Sequence, residues 1–398
     1  MDGVALVGGG RSALVAAIAL ARRGIRTTIF ERDQHPEIAP RFNPDRSYTI
    51  DISGHGLKAL RHIDATRHFD ERMIRFKGLK IPGGTTEEWT LPGWTGSRGD
   101  ILRSLTSVLE ERHQSLVTRE FETRVVAADV RSGTLTIESK SGTSTRTFDF
   151  IVGADGAGSV VRKAMVEQVP GFSVTTGSYP NWCTMIELDR VGDTLDPNYI
   201  HGLAARPFCV AGAIKGEGGG PPRWFCAIGT KAKQTFASPD EARRYFHERV
   251  PRVLELTSEE KLAAYAARPC YHIGQTLRCS RLDGGKAVLL GDAAEAFPPI
   301  GQGVNAAMES AITLDRCIGE AGPGGLAQAA EAYSARWKPE VDAVAWMSVR
   351  SLFENRFHMM RSVLARKLGV NMFDDAKSDT IPWSEVKRKA QRLWPLWA

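Results

Sequence analysis

Val4-Ala5-Leu6-Val7-Gly8-Gly9-Gly10-Arg11-Ser12-Ala13 is the stretch whose reading decides the fold. Four apolar residues running into glycines fit a strand buried on both faces, as in a parallel sheet between helices. Ser12 to Arg23 then places Leu14, Ala17, Ile18 and Ala21 at helical spacing, and Gly24 supplies the residue that ends the helix. Thr27 to Phe30 is a second strand, ending at Glu31. This βαβ opening, with glycines on its first turn, predicts an α/β, Rossmann-like nucleotide fold. Gly8 permits the tight turn, and Gly10 lets the backbone approach a pyrophosphate at a helix N-terminus. Ala13 fills the third small position, and Arg11 and Ser12 share the helix start. Glu31 stands 21 residues after Gly10, with Arg32 beside it, placed to accept from a ribose hydroxyl. The motif leaves NAD, NADP and FAD open.

The bulk numbers bound the rest. At 398 residues, 42% hydrophobic and 25% charged, the chain suits packed domains of a soluble protein. Its net charge of +6 is spread over scattered Arg and Lys, with no basic stripe interleaved with aromatics, so no nucleic-acid partner is expected. Six cysteines form no CxxC and no metal spacing, which predicts reduced thiols and no metal site. A strand begins by the fourth residue, leaving no room for a signal peptide, and no run reaches the roughly 18 apolar residues of a membrane span. The expected compartment is the cytoplasm, and the expected assembly a monomer or homodimer.

Two further strand-to-helix turns follow. Phe148 to Val152 is a strand running into Gly153-Ala154-Asp155-Gly156-Ala157-Gly158-Ser159-Val160-Val161-Arg162. Ala287 to Leu290 runs into Gly291-Asp292-Ala293-Ala294 and then Pro298-Pro299-Ile300-Gly301-Gln302-Gly303-Val304-Asn305. Each turn presents one carboxylate. With all three motifs in order, the chain resembles the group A flavoprotein monooxygenases, the aromatic hydroxylases, over most of its length. The resemblance implies an FAD-binding domain, a mixed β-sheet substrate domain and a helical C-terminal region. It implies that Asp155 serves flavin and pyridine-nucleotide binding and that Asp292 holds a ribityl hydroxyl. Backbone amides of Gly303, Val304 and Asn305 would meet the flavin pyrimidine edge, where a helix N-terminus favours negative charge.

The same resemblance implies the reaction: NADPH or NADH reduces FAD, and O2 forms a C4a-hydroperoxide that hydroxylates an electron-rich ring. Pro298 and Pro299 would form a rigid, donor-free wall beside the isoalloxazine. Two departures stand in this loop: Asp292 to Gly301 is a residue shorter than the usual form, and Glu295 replaces the usual His.

Within the family the chain is most similar to the kynurenine 3-monooxygenase branch. The similarity rests on Arg46-Ser47-Tyr48-Thr49-Ile50 with Gly56-Leu57-Lys58-Ala59-Leu60, on Arg72-Met73-Ile74, Ser97-Arg98, Asn198-Tyr199-Ile200-His201, Tyr333-Ser334-Ala335 and Ile381-Pro382-Trp383-Ser384-Glu385-Val386. It places Arg46 and Arg98 near FAD and Arg72 on the substrate carboxylate, a natural bidentate partner. Thr86, Ser351 and Phe373 stand where that branch carries a Tyr, an Asn and a Tyr. These changes point to an acidic aromatic substrate other than free kynurenine. That branch continues in higher organisms into a membrane anchor, whereas this chain stops at Trp397-Ala398, with Trp394 and Trp397 expected to dock on the protein.

The expected organisation is an FAD domain at 1–72, 98–170 and 280–335, a substrate sheet at 73–97 and 171–279, and a helical region at 336–398, with 348–367 as a helical lid. The histidines fall without ligand spacing. Two other readings remain open from sequence: a flavin enzyme that reduces or oxidises without oxygen insertion, and a catalytically silent flavin-binding protein.

Overall fold

Val4–Val7, buried at every position, lies inside a six-stranded sheet of order 283–284, 287–289, 150–153, 4–7, 27–30 and 117–120. The computed structural model describes residues 3–43, 50–81, 85–351 and 371–393. All neighbours in this sheet are parallel except the short hairpin Asp283–Gly284 with Ala287–Leu289. The register pairs Val7 with Gly153 and Gly153 with Leu289, so these three strands end at one level. The turns that follow them, carrying Gly8, Asp155 and Asp292, therefore open on the same carboxyl edge, where doubly wound sheets bind ligands. The helix Arg11–Arg22 buries every residue from Ser12 to Ala21. Sequence periodicity showed one apolar face; the small residues on the other let the helices Arg98–Arg112 and Gly303–Ala321 close over it.

The second sheet has eight strands, in the order 271–272, 182–188, 223–230, 208–214, 199–205, 74–81, 85–96 and 50–52. Ile50–Ile52 pairs with Trp94–Gly96, which places it in this sheet although it falls in the first expected FAD segment. Three helices, Pro239–Arg249, Pro251–Glu255 and Glu259–Ala266, cover one face through Phe246, Leu262 and Tyr265. The segment 171–279, expected as a mixed substrate sheet, thus also carries helices. The signals were local: Ser238 and Ser258 accept from Glu241 N and Lys261 N as N-caps, with acidic residues in each first turn. The uncovered face carries Met185, Ile214 and Phe225, against which Phe42 stacks with ring centroids 3.9 Å apart.

Residues 174–178, 275–279 and 295–296 form a small antiparallel sheet that ties the Asp292–Pro298 segment to the second domain. The helix Leu326–Arg350 packs on Gly303–Ala321, and the helix Trp383–Leu393 packs on Leu326–Arg350. Trp383 is fully buried; its ring lies 3.8 Å from that of His55 and its Nε1 donates to Ala376 O at 3.2 Å. That contact clamps residues 371–393 to the body. Most of the expected lid, together with Trp394 and Trp397, lies outside the described residues. Among those described, no helix is long and apolar enough to cross a membrane.

Candidate active site

The first turn is built around two immovable atoms. Gly8 sits at φ +97°, and a Cβ there would lie 2.6 Å from Ala154 O. Only glycine meets both conditions. Glu31 Oε2 accepts from Gly9 N at 2.6 Å and its Oε1 accepts from Asp33 N at 2.8 Å, so the acidic residue also fixes the turn it faces. Gly10 differs from Gly8: a Cβ there would meet nothing closer than Ala154 O at 4.0 Å. The fold leaves room above Gly10, as a phosphate-binding turn requires.

The second turn is locked to the third by a residue whose role sequence reasoning missed. Arg162 is buried; its Nη1 donates to Ala293 O at 2.9 Å and its Nη2 to Ala157 O. This guanidinium holds the Asp292 turn against the Asp155 turn. Asp155 Oδ2 accepts from Val160 N at 2.6 Å, while its Oδ1 is buried without a partner. Burial raises the Asp155 carboxyl above its ordinary range, against the opposing bonds from Ser159 and Val160. Asp292 itself is exposed, in the turn Gly291–Ala293.

The helix Gly303–Ala321 opens without a side-chain cap, leaving the amides of Gly303, Val304 and Asn305 at its positive end. Asn305 is wholly buried and does more than offer an amide. Its Oδ1 accepts from Ser53 N at 3.1 Å, and its Nδ2 donates to Gly301 O at 3.0 Å and to Ser53 Oγ at 3.3 Å. It thus pins the proline loop to the second domain. Pro298 is buried and Pro299 part-exposed; Ser348 Oγ, on the helix Leu326–Arg350, donates to Pro298 O.

Arg98 begins the helix Arg98–Arg112, which Ser97 and Asp100 hold in a capping box. Burial and neighbouring Arg11 lower its guanidinium from the ordinary value, while Glu31, Asp33 and Asp292 oppose them. Arg11, Glu31 and Asp292 are thus among the charges near Arg98. Ser12 and Ala13 are buried at the start of the helix Arg11–Arg22, and Arg32 is exposed next to Glu31.

Other expected site residues stand elsewhere or out of view. Arg72 Nη2 donates to Ser107 Oγ at 2.8 Å and lies 3.7 Å from Glu37. Ser107 is nine residues after Arg98 on one helix, roughly 13 Å along its axis. Arg72 Nε is buried without a hydrogen-bond partner. Ser351 donates to Met347 O at 2.7 Å, closing its own helix. The backbone of Phe373 lies in the short helix Met372–Asp375, but its side chain, like Arg46, lies outside what the structure describes. No metal-ligand cluster occurs among the described residues.

Glu295, the replacement for His, is buried with neither carboxylate oxygen hydrogen-bonded. Lys338 Nζ and Arg278 Nε lie 3.7 and 4.0 Å away. Burial pushes its carboxyl up to about 8, against the opposing pull of Lys338. A raised folded-state value means that stability is fullest below the ordinary Glu range and declines as pH climbs towards about 8. Glu295→Gln keeps the neutral form at every pH. It should leave stability unchanged near pH ~4 and raise it by roughly 1–3 kcal/mol at alkaline pH, as read by urea unfolding. Parallel pH profiles for the two proteins would refute this.

The recess fits FAD on its own features. Arg11 Nε and Asp155 Oδ1 are buried without partners, and an added Cβ at Gly156, Gly158 or Gly303 would meet nothing within 4 Å. Polar atoms and open glycines thus line the edge where the three turns converge. A family model described as FAD binding domain matches residues 2–350. The chain belongs to that family. This FAD-dependent monooxygenase is 26% identical over 367 residues to kynurenine 3-monooxygenase of Candida albicans, covering 88% of the chain and 80% of the relative. It is 27% identical to kynurenine 3-monooxygenase of Stenotrophomonas maltophilia, covering 98% and 84%. Among solved structures, 2-methyl-3-hydroxypyridine-5-carboxylic acid oxygenase in a tetrameric form shares its fold with a TM-score of 0.67 at 21% identity, covering 89% and 92%. PqsL of P. aeruginosa in complex with 2-aminobenzoylacetate does so at 0.68 and 18%, covering 90% and 98%. The fold is that of the aromatic hydroxylases.

Proposed function

We propose that this monooxygenase hydroxylates an electron-rich aromatic carrying an amino group and a carboxylate, a kynurenine-like or aminoaryl acid, using NADPH or NADH as reductant. The observation that carries the reading is the fixed proline loop beside the three-turn recess. Bound FAD supplies, after reduction, the reaction with O2 that furnishes an oxygen atom. The chain's own contribution is position and dryness. Ser348 and Asn305 hold the Pro298–Gly301 loop at its two ends, so its two prolines would present a wall without N–H donors to a ring bound there. The helix start at Gly303 offers a positive end to the flavin's electron-rich edge. The relatives' names, kynurenine and 2-aminobenzoylacetate among them, support an aminoaryl acid.

The test is NADPH oxidation by the FAD-loaded protein with kynurenine, anthranilate and tryptophan derivatives. Stimulation matched by a product heavier by one oxygen supports the proposal. Oxidation that yields only hydrogen peroxide, or none, favours a flavin enzyme without oxygen insertion or a silent binder. Arg72→Ala should change KM less than about threefold and cost roughly 0.5–1.5 kcal/mol of stability, the value of a part-buried hydrogen bond. A tenfold rise in KM for acidic substrates alone would restore Arg72 as the anchor. We read the assembly as a monomer or homodimer and the compartment as the cytoplasm, the latter in keeping with six free cysteines.

A further inference from the structure

Asp51 stands beside the end of the proline loop, and Lys377, 326 positions further along the chain, packs its carbonyl against Gly54. The Asp51 oxygens lie 3.0 and 3.5 Å from where a Cβ on Gly301 would stand. Gly301, at φ +78°, ends that loop just before the helix start. Lys377 Nζ sits 3.1 Å from the centroid of the Trp89 ring. The Lys377 backbone passes close to the Asp51 strand: a Cβ on Gly54, three residues beyond Asp51, would lie 2.2 Å from Lys377 O. Neither charge has an ion-pair partner within 4.0 Å among the described residues. Asp51 and Lys377 are both half-buried.

We propose that Asp51 is the group that accepts the proton of the substrate's ring amino or hydroxyl substituent during hydroxylation, with Lys377 as the positioning residue that sets its charge. The inference rests on the aromatic-hydroxylase reading above and names the substrate feature that the site requires, an N–H or O–H on the ring. In the step, the N–H or O–H bond breaks and its electron pair moves into the ring, which becomes the stronger nucleophile. The proton forms an O–H bond with the Asp51 carboxylate, and no oxidant is consumed. A carboxylate base works best when its carboxyl is raised from the ordinary range. Burial raises the Asp51 carboxyl, and Lys377 opposes the rise. Burial lowers Lys377 to about 8, against the pull of Asp51, Glu87 and Asp374.

FAD-loaded wild type, Asp51→Asn, Lys377→Met and Lys377→Arg would be compared with anthranilate as the probe across the pH range. Asp51→Asn should keep FAD and the wild-type melting point, while coupled kcat falls about 10²-fold and the acidic limb of its pH profile disappears. Lys377→Met should move that limb to higher pH, because the opposing charge is gone, and Lys377→Arg should leave it in place. Should Asp51→Asn fail to fold, the limb positions of the two Lys377 variants decide the matter. Wild-type kcat and an unchanged limb in Asp51→Asn would overturn the proposal. If no member of the panel stimulates even the wild type, the aromatic-hydroxylase reading is what fails. The flavin absorbance of wild type and Asp51→Asn is then titrated with pH alone. A step present only in wild type supports a titrating Asp51 beside the flavin, and superimposable curves overturn it.

Discussion

Gly8→Ala should yield little folded protein and no bound FAD, whereas Gly10→Ala should fold normally and lose most of its flavin affinity. The difference comes from what each added methyl meets. At Gly8 the backbone lies at φ +97°, a conformation that costs an L-residue roughly 1–2 kcal/mol. The methyl would also stand 2.6 Å from Ala154 O, a backbone atom in a strand end that cannot retreat, since Ala154 N donates to Val7 O at 2.8 Å. Retreat would break the parallel register at the centre of the sheet. Together these effects reach several kcal/mol against a total stability of about 5–15 kcal/mol. At Gly10 the nearest atom is 4.0 Å away and φ is −73°, so alanine fits the fold. Its methyl would instead occupy the space a pyrophosphate needs. Melting temperature and FAD-to-protein ratio, measured on both variants, check the pair. A Gly10→Ala protein with full FAD content would remove that turn from the flavin site.

Asn305→Ala should be the most damaging single change outside the glycines, lowering stability by roughly 2–6 kcal/mol. It leaves Ser53 N buried and Gly301 O part-buried without this partner, at about 1–3 kcal/mol each. The space is not easily refilled, because Gly56 approaches so closely that a Cβ on it would lie 2.2 Å from Asn305 Oδ1. The same change frees the proline loop from the Ile50–Ile52 strand, so FAD affinity should fall with stability. A shift in urea midpoint at constant slope reads the first effect and flavin titration the second. A midpoint within experimental error of wild type would show that Ser53 and Gly301 find other partners.

Both predictions concern residues visible in the sequence, but only one of the two roles was legible there. The role of Gly8 follows from four apolar residues, a glycine turn and an acidic residue 21 positions after Gly10, all within one βαβ unit. The roles of Asn305 and Arg162 depend on Ser53 and Ala293, which lie 252 and 131 positions away. The helices Pro239–Arg249 and Glu259–Ala266 announced themselves through serine caps and acidic first turns, although the surrounding strands masked them. Arg72 shows the reverse case. Its neighbours in sequence resemble an anion anchor, while in space it reaches Ser107 and Glu37 and keeps its Nε buried without a partner.

The sequence by itself determined the three nucleotide turns, the order in which they occur and the family to which they belong. Strand, turn and cap chemistry act over a few residues, and their signatures survive reading in one dimension. Only the tertiary structure decided that Asp51 stands beside the end of the proline loop, that Lys377 lies over the Trp89 ring, and that Glu295 is buried without a hydrogen bond. A side chain's charge state and partners depend on what packs around it, and that is set by sheet register and helix docking across hundreds of residues.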